Sequence, residues 1–282
     1  MSIEIADLCI KVDSAVDLKK FEDIAFCKNF IKQDKGHCHC RLDLKIGRPP
    51  AFDRHSNAFD PMGNWQLSSI DGQNVLRIGP PTKGENSRDA AVFNADYTKG
   101  AIYRKHVYAV FGGFIDQFIL INILSRKSGF LLHASGVVWE GKGLCFIGPS
   151  GAGKSTLLKL FSQEVKKEHL LNDDRLAMRR CKNKWRVFGT PWHGELPFTS
   201  PAGADLKALF FIAQSKNNYA RKLSPGDVCG RLSVFSILPV WNAEATSRVL
   251  TTFQSLIKDV PAYELGILPD RSAVELIKNT IR

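Results

Sequence analysis

The stretch Leu144-Cys145-Phe146-Ile147-Gly148-Pro149-Ser150-Gly151-Ala152-Gly153-Lys154-Ser155-Thr156 decides the fold. Leu144 to Ile147 is an apolar run of strand character, and Ser155 to Phe161 is helix-forming. Gly148, Gly153, Lys154 and Ser155 satisfy G-x-x-x-x-G-K-[ST] in the strand–loop–helix setting that this pattern requires. The residue types follow from the chemistry. Backbone N–H groups have to point inward around phosphate oxygens, and glycine permits the dihedrals and the close approach. The start of the next helix adds free N–H groups and a positive dipole end. Residues 148–156 are therefore expected to hold a nucleoside triphosphate, with Lys154 on its β- and γ-phosphates and the Ser155 hydroxyl on Mg²⁺.

The rest of the chain agrees with a globular protein. It has 282 residues, enough for one large domain or a domain with an appendage, and 44% of them are hydrophobic. The longest apolar run, Phe114 to Leu124, is broken by Asp116, Gln117 and Asn122 and falls short of the roughly 18 residues of a membrane span. The N-terminus lacks the basic flank and apolar core of a signal peptide, so a cytoplasmic location is expected. Seven cysteines at irregular positions fit reduced thiols better than a disulfide framework. The net charge of +11 suggests acidic partners, nucleotide among them, without choosing between them. No nucleic-acid-binding motif accompanies it.

Before the phosphate loop the signals are mostly strand and turn. Alternation marks Ile3–Val12 and Cys40–Ile46 as extended. Asp71-Gly72 sits between strand-like runs in Trp65–Ile78, a hairpin signal. Ala91–Asn94 and Ala101–Val107 flank a turn around Thr98-Lys99-Gly100. A short helix is expected between Val16 and Ile31, and Pro49-Pro50 and Pro80-Pro81 mark breaks. His37-Cys38-His39-Cys40 invites a zinc site, but neighbours in an extended chain point to opposite faces and no second ligand pair follows, so ordinary strand residues are expected. Phe114 to Lys127 reads as a largely buried helix.

Phe130–Val138 reads as a strand that returns through Glu140-Gly-Lys-Gly143 into the loop strand, an antiparallel entry unlike a βαβ unit. His169–Asp174 is a short strand ending in two acids, which would lie near the phosphates if that strand lay beside the loop strand. A hairpin across Lys182-Asn183, a strand at 206–213, helices near 225–236 and 243–258, a strand at 263–268 and a helix at 271–280 complete the pattern, with Asn242 and Asp270 as caps. Asp173 and Asp174 are candidates for Mg²⁺ binding and for base chemistry. His133, on the strand before the loop strand, could come next to the phosphates. His193 and Glu195 lie in a polar loop, where functional groups concentrate. Arg221, or else Arg175, could stabilise charge on a transferring phosphoryl group.

Three segments, His133-Ala-Ser-Gly-Val137, Gly148-Pro-Ser-Gly-Ala-Gly-Lys-Ser155 and Leu170-Leu-Asn-Asp-Asp174, together resemble the catalytic domain of HPr kinase/phosphorylase and its smaller kinase relatives. The resemblance covers roughly residues 110–215. It implies a phosphoenolpyruvate-carboxykinase-like phosphate-loop fold with a mixed sheet, hence an α/β class with α+β character. It further implies that Lys154 and Ser155 bind ATP and Mg²⁺. One of Asp173 and Asp174 would deprotonate an acceptor hydroxyl while the other serves the metal, with Ser155 and Asp174 as candidate ligands and His133 in support. The family's Leu-Glu-[Ile/Val]-Arg-Gly-Leu-Gly segment is missing. Gly189-Thr-Pro-Trp-His-Gly-Glu195 stands in its place, as in diverged relatives.

The expectation is a β-rich region at 1–108, a place for substrate recognition, followed by an ATP-binding catalytic domain at 109–282. Its reaction would be transfer of the γ-phosphoryl group to a hydroxyl of a peptide, protein or small molecule. The alternative is a phosphate-loop ATPase or nucleotide-driven switch whose only acceptor is water. ABC-type ATPases share the loop sequence, but their Leu-Ser-Gly-Gly-Gln signature is absent. The pattern leaves a homo-oligomer open.

Overall fold

The computed structural model describes residues 1–18, 27–33, 36–47, 59–60, 64–79, 89–104 and 113–282. Most of the helix expected between Val16 and Ile31 lies outside these residues. So do Pro49-Pro50, most of Pro80-Pro81 with its neighbours, and the end of the strand expected to reach Val107. The chain divides into two compact units, Met1–Ile123 and Leu124–Arg282. The change of domain expected at 108/109 lies outside the described residues.

The first unit is built on one sheet of eight strands among its described residues: β1 (Ser2–Ile5), β2 (Leu8–Ser14), β3 (Ile31–Lys32), β4 (Cys40–Ile46), β5 (Trp65–Ile70), β6 (Gln73–Ile78), β7 (Asp89–Phe93) and β8 (Lys99–Arg104). Their order is β3-β1-β2-β4-β8-β7-β6-β5. The stretch Ile3–Val12 is two strands rather than one, because Ala6 and Asp7 adopt left-handed φ values of 56° and 58° and turn the chain. The turn before β8 lies at Asn94–Thr98, ahead of the expected Thr98-Lys99-Gly100. The Asn94 side chain accepts the Lys99 N–H at 3.0 Å, and Asp96 accepts the Thr98 N–H and hydroxyl, which is how Asx residues close turns.

His39 Nδ1 accepts the Cys9 N–H at 3.1 Å, and burial pushes the Cys40 thiol up to about 12. None of the seven cysteines is joined in a disulfide.

Helix α1 (Phe114–Ser125) carries Phe118 against the rings of Phe93, Tyr97 and Trp65. The acid inside this apolar run, Asp116, is fully buried. It is held by Arg104 at 3.2 Å and by the Gly113 N–H at 2.8 Å, which offsets the penalty of burying a charge.

The second unit holds a mixed sheet. Its strands are β9 (Gly129–Trp139), β10 (Lys142–Ile147), β11 (Leu170–Asn172), β12 (Arg175–Cys181), β13 (Lys184–Gly189), β14 (Gly203–Gln214), β15 (Tyr219–Lys222), β16 (Ser236–Ile237) and β17 (Ala262–Ile267). The pairings β10-β9-β12-β13-β14 close into a ring because β10 also pairs with β14 in parallel, and β17 and β15 extend from the far half of β14.

Two apolar clusters face opposite sides of this sheet. Phe130, Leu132, Ile147, Leu209 and Phe211 pack with α3 (Pro225–Phe235) and α4 (Ala243–Asp259), where Phe130 meets Phe253 edge-on at 4.8 Å. Val137, Leu144, Phe146 and Phe210 pack under α2 (Lys154–Phe161) and α5 (Arg271–Ile281). Side-chain caps set the helix starts: Ser224 accepts the Asp227 N–H, Asn242 that of Ala245, and Asp270 that of Ser272. The unit therefore has α/β content with a mixed sheet and few helices. No helix among the described residues is long and apolar enough to cross a membrane.

Candidate nucleotide site

The β9–β10 hairpin aims the chain at the site. Ile147, the last residue of β10, pairs with Ala134, and Gly148 begins the loop. A Cβ on Gly148 would stand 3.0 Å from the Ala152 Cβ, so the loop closes tightly over its own start. Pro149, Ser150 and Gly151 are exposed, while Ala152, Ser155 and Thr156 are half-buried. Gly151 and Gly153 have φ of 77° and 108°, which disfavours any residue with a Cβ. Gly153 is the N-cap of α2 and supplies no side-chain cap. The first-turn N–H groups of that helix therefore remain available to an anion, the fit expected of a phosphate site. The Ser135 hydroxyl donates to the Lys154 carbonyl at 3.2 Å and ties the helix start to β9.

Lys154 is buried and its ammonium donates to the carbonyls of Gly148 (2.8 Å) and Pro149 (3.0 Å). Burial lowers its pKa, and Asp174, Asp173 and Glu195 act in the opposite direction. One lysine thus stands within the field of three carboxylates.

The acids arrive differently from the expectation. β11 pairs with β9, not with the loop strand, so β9 separates the two. β11 leaves β9 at Asn172↔Gly136 and β12 rejoins it at Arg175↔His133. Asp173 and Asp174 occupy the gap, and the Ala134 N–H donates to the Asp174 carbonyl at 3.0 Å. This brings the acids to the part of β9 that pairs with the end of β10.

Asn172 shapes the gap. Its side chain is fully buried, accepts the N–H groups of Asp174 and Arg175 at 2.8 Å each, and donates to the Thr190 carbonyl at 2.9 Å. Asp173, only 3% exposed, accepts the N–H groups of Gly194 and Leu196 at 2.7 Å, one on each carboxylate oxygen. The Asp174 side chain is 20% exposed, with His133 Nδ1 at 3.1 Å and the Arg175 guanidinium at 2.9 Å. The hydrogen bond from His133 first, then the charges of Arg175 and Lys154, hold its carboxyl below the usual aspartate value.

His133, Asp173, Asp174, Lys154 and Ser155 are thus gathered in one region, with Glu195 at its edge. Arg221 is not among them. It lies on β15, across β17 and β14 from the loop strand, three spacings of about 4.8 Å away. There it bonds Glu264 at 2.9 Å beside Arg231, a pairing that explains why β15 carries it. Arg175 is the arginine at the acids. The pairing of residue 175 with His133 and the Asx turn at Asn172 are the features that residue spacing alone left unread. An Asn directly before two acids at a strand end is the signal that carried them.

A family model described as ABC transporter matches residues 131–189, the segment from β9 through the loop and the acids to β13. No curated protein matches the chain. Among solved structures, the Hpr(Ser) kinase/phosphatase from Coxiella burnetii aligns over 53% of this chain and 89% of its own, at 13% identity and a TM-score of 0.31. The loop, its uncapped helix and the family match together identify a nucleotide-binding, P-loop-type domain in the second unit.

Proposed function

We propose that the protein is a kinase that transfers the γ-phosphoryl group of ATP to a hydroxyl acceptor, on a phosphoenolpyruvate-carboxykinase-like phosphate-loop fold. One observation carries this reading: a partly exposed carboxylate, Asp174, is oriented by both His133 and Arg175 in the field of the loop lysine. An ionised, doubly oriented acid beside the loop lysine suits the positioning of an acceptor hydroxyl. The antiparallel strand entry and the order of the His133, loop and Asp173-Asp174 segments support it too.

The loop N–H groups and Lys154 bind the phosphate oxygens and balance charge that develops on them. Lys154 would exchange its bonds to the Gly148 and Pro149 carbonyls for phosphate. Ser155 and, through water, Asp174 would hold Mg²⁺, which takes one or two protein oxygens together with phosphates and supplies further neutralising charge. Asp174 orients the acceptor hydroxyl and takes its proton as the acceptor oxygen bonds to the γ-phosphorus. The bond from that phosphorus to the bridging oxygen breaks, and ADP leaves. His133 keeps Asp174 aligned, and Arg175 keeps it ionised. The depressed carboxyl suits a transfer with little proton abstraction before bond formation, in which positioning dominates.

A second reading, a nucleotide hydrolase or switch, is favoured by the ABC transporter match at 131–189. Labelled γ-phosphate from Mg-ATP, offered with fractionated cell lysate, separates the two. Label in an acceptor fraction, lost in both Lys154→Ala and Asp174→Asn, is the expected result. Release of free phosphate alone, with dependence on Lys154, would replace the kinase reading by the hydrolase.

A further inference from the structure

The two acids at the turn are chemically alike and structurally opposite. Asp174 faces outward with His133 and Arg175, whereas Asp173 is buried and spends both oxygens on the backbone of residues 194 and 196. A carboxylate that grips the N–H groups of residues i and i+2 fixes the residue between them, here Glu195. The contact is close: a Cβ on Gly194 would stand 3.1 Å from both Asp173 Oδ2 and the Asp174 Cβ, so the loop backbone lies directly against the acids. Two more bonds run along the same seam, from Asn172 to the Thr190 carbonyl and from the Thr190 hydroxyl to the Arg175 carbonyl at 2.8 Å. Residues 190–196 are therefore strapped to the 172–175 turn at both ends.

We propose that Asp173 is a positioning residue, neither the base nor a metal ligand: it clasps the 190–196 loop, with Glu195 at its tip, to form the acceptor side of the site. The acceptor half of this proposal rests on the kinase reading; the clasp does not. Charge-assisted hydrogen bonds to a buried carboxylate are strong, and an asparagine can accept only through its one oxygen while its NH₂ confronts the second N–H group.

The test uses the full chain. In Asp173→Asn, loss of one such bond should speed hydrogen exchange at Gly194 and Leu196 by about tenfold to a hundredfold. Gly194→Ala, which crowds the clasp and leaves Asp173 in place, should speed the same amides and guards against a general folding defect. Unchanged exchange in both would overturn the clasp. Mg-ADP affinity should stay within about threefold of the parent in Asp173→Asn, a change below 1 kcal/mol. A tenfold, Mg²⁺-dependent loss would make Asp173 a metal ligand and overturn the proposal.

With an acceptor in hand, Asp173→Asn should raise the acceptor KM more than it lowers kcat. A collapse of kcat at unchanged KM would identify Asp173 as the base instead. If no acceptor is ever labelled, the kinase reading fails while the exchange and Mg-ADP results still decide the clasp.

Discussion

Replacing Asn172 by alanine tests the idea that one buried amide organises the acids. The side chain is fully buried and makes three hydrogen bonds of 2.8–2.9 Å, accepting two N–H groups and donating to one carbonyl. Three such bonds contribute about 1 kcal/mol each, and leaving buried partners unsatisfied adds ~1–3 kcal/mol for any that water does not reach. A loss of about 3–5 kcal/mol is therefore expected, a large share of the 5–15 kcal/mol typical of a domain. Urea titration followed by tryptophan fluorescence reads the second unit, because Trp139, Trp185, Trp192 and Trp241 lie in it and only Trp65 lies outside. Asn172→Asp separates the contributions. It keeps both acceptor bonds but turns the donor towards Thr190 into an acceptor, so its cost should be concentrated at the 190–196 loop. A midpoint shift worth less than about 1 kcal/mol in Asn172→Ala, at unchanged m-value, would refute the reasoning.

Two further outcomes follow from charges. Arg231 first and Arg221 second hold the Glu264 carboxyl at about 2 instead of its ordinary 4.5, so the stability it contributes is fully present above pH 4.5 and is lost as pH falls towards 2. Glu264→Gln should flatten that limb of the acid denaturation curve, and parallel curves for the two proteins would reject the assignment. Arg221→Ala should leave Mg-ADP affinity and phosphoryl transfer near parent values, whereas Arg175→Ala should slow transfer by about tenfold or more through loss of a charge-assisted contact to Asp174. A larger effect from Arg221 than from Arg175 would return Arg221 to the site.

What could be read from sequence was what local chemistry determines. The phosphate loop declares itself because left-handed φ at Gly151 and Gly153 and an uncapped helix start demand glycine there. Cys40–Ile46 was placed to the residue because its alternation is strict. The Asp71-Gly72 and Lys182-Asn183 turns were legible because Gly and Asn adopt φ > 0 readily, whereas Ala6-Asp7 turns by the same geometry without that chemistry and was missed. Arg221 is a different case. An arginine's role depends on which carboxylate meets it, and Glu264 lies 43 residues further along the chain. Likewise nothing local says that Asp173 reaches Gly194 and Leu196, since that bond exists only after β13 has returned the chain past the acids. The acids were visible; the different partners they take were not.

The strand that carries the phosphate loop has neighbours on both edges, and they are made at different times. β9 precedes β10 and can pair with it as soon as the hairpin exists, but the parallel partner reaches only from Asp205 to Phe211. A ribosome making this chain therefore delivers the whole loop and both aspartates some thirty residues before the strand that seats β10 from its other side. During that interval the loop lacks its final support, so a nucleotide would add little to the nascent chain's stability. Ligand stabilisation scales with binding to the finished state, and it switches on once β14 has docked. A nucleotide would then act as a late lock on the fold, not as a template for it.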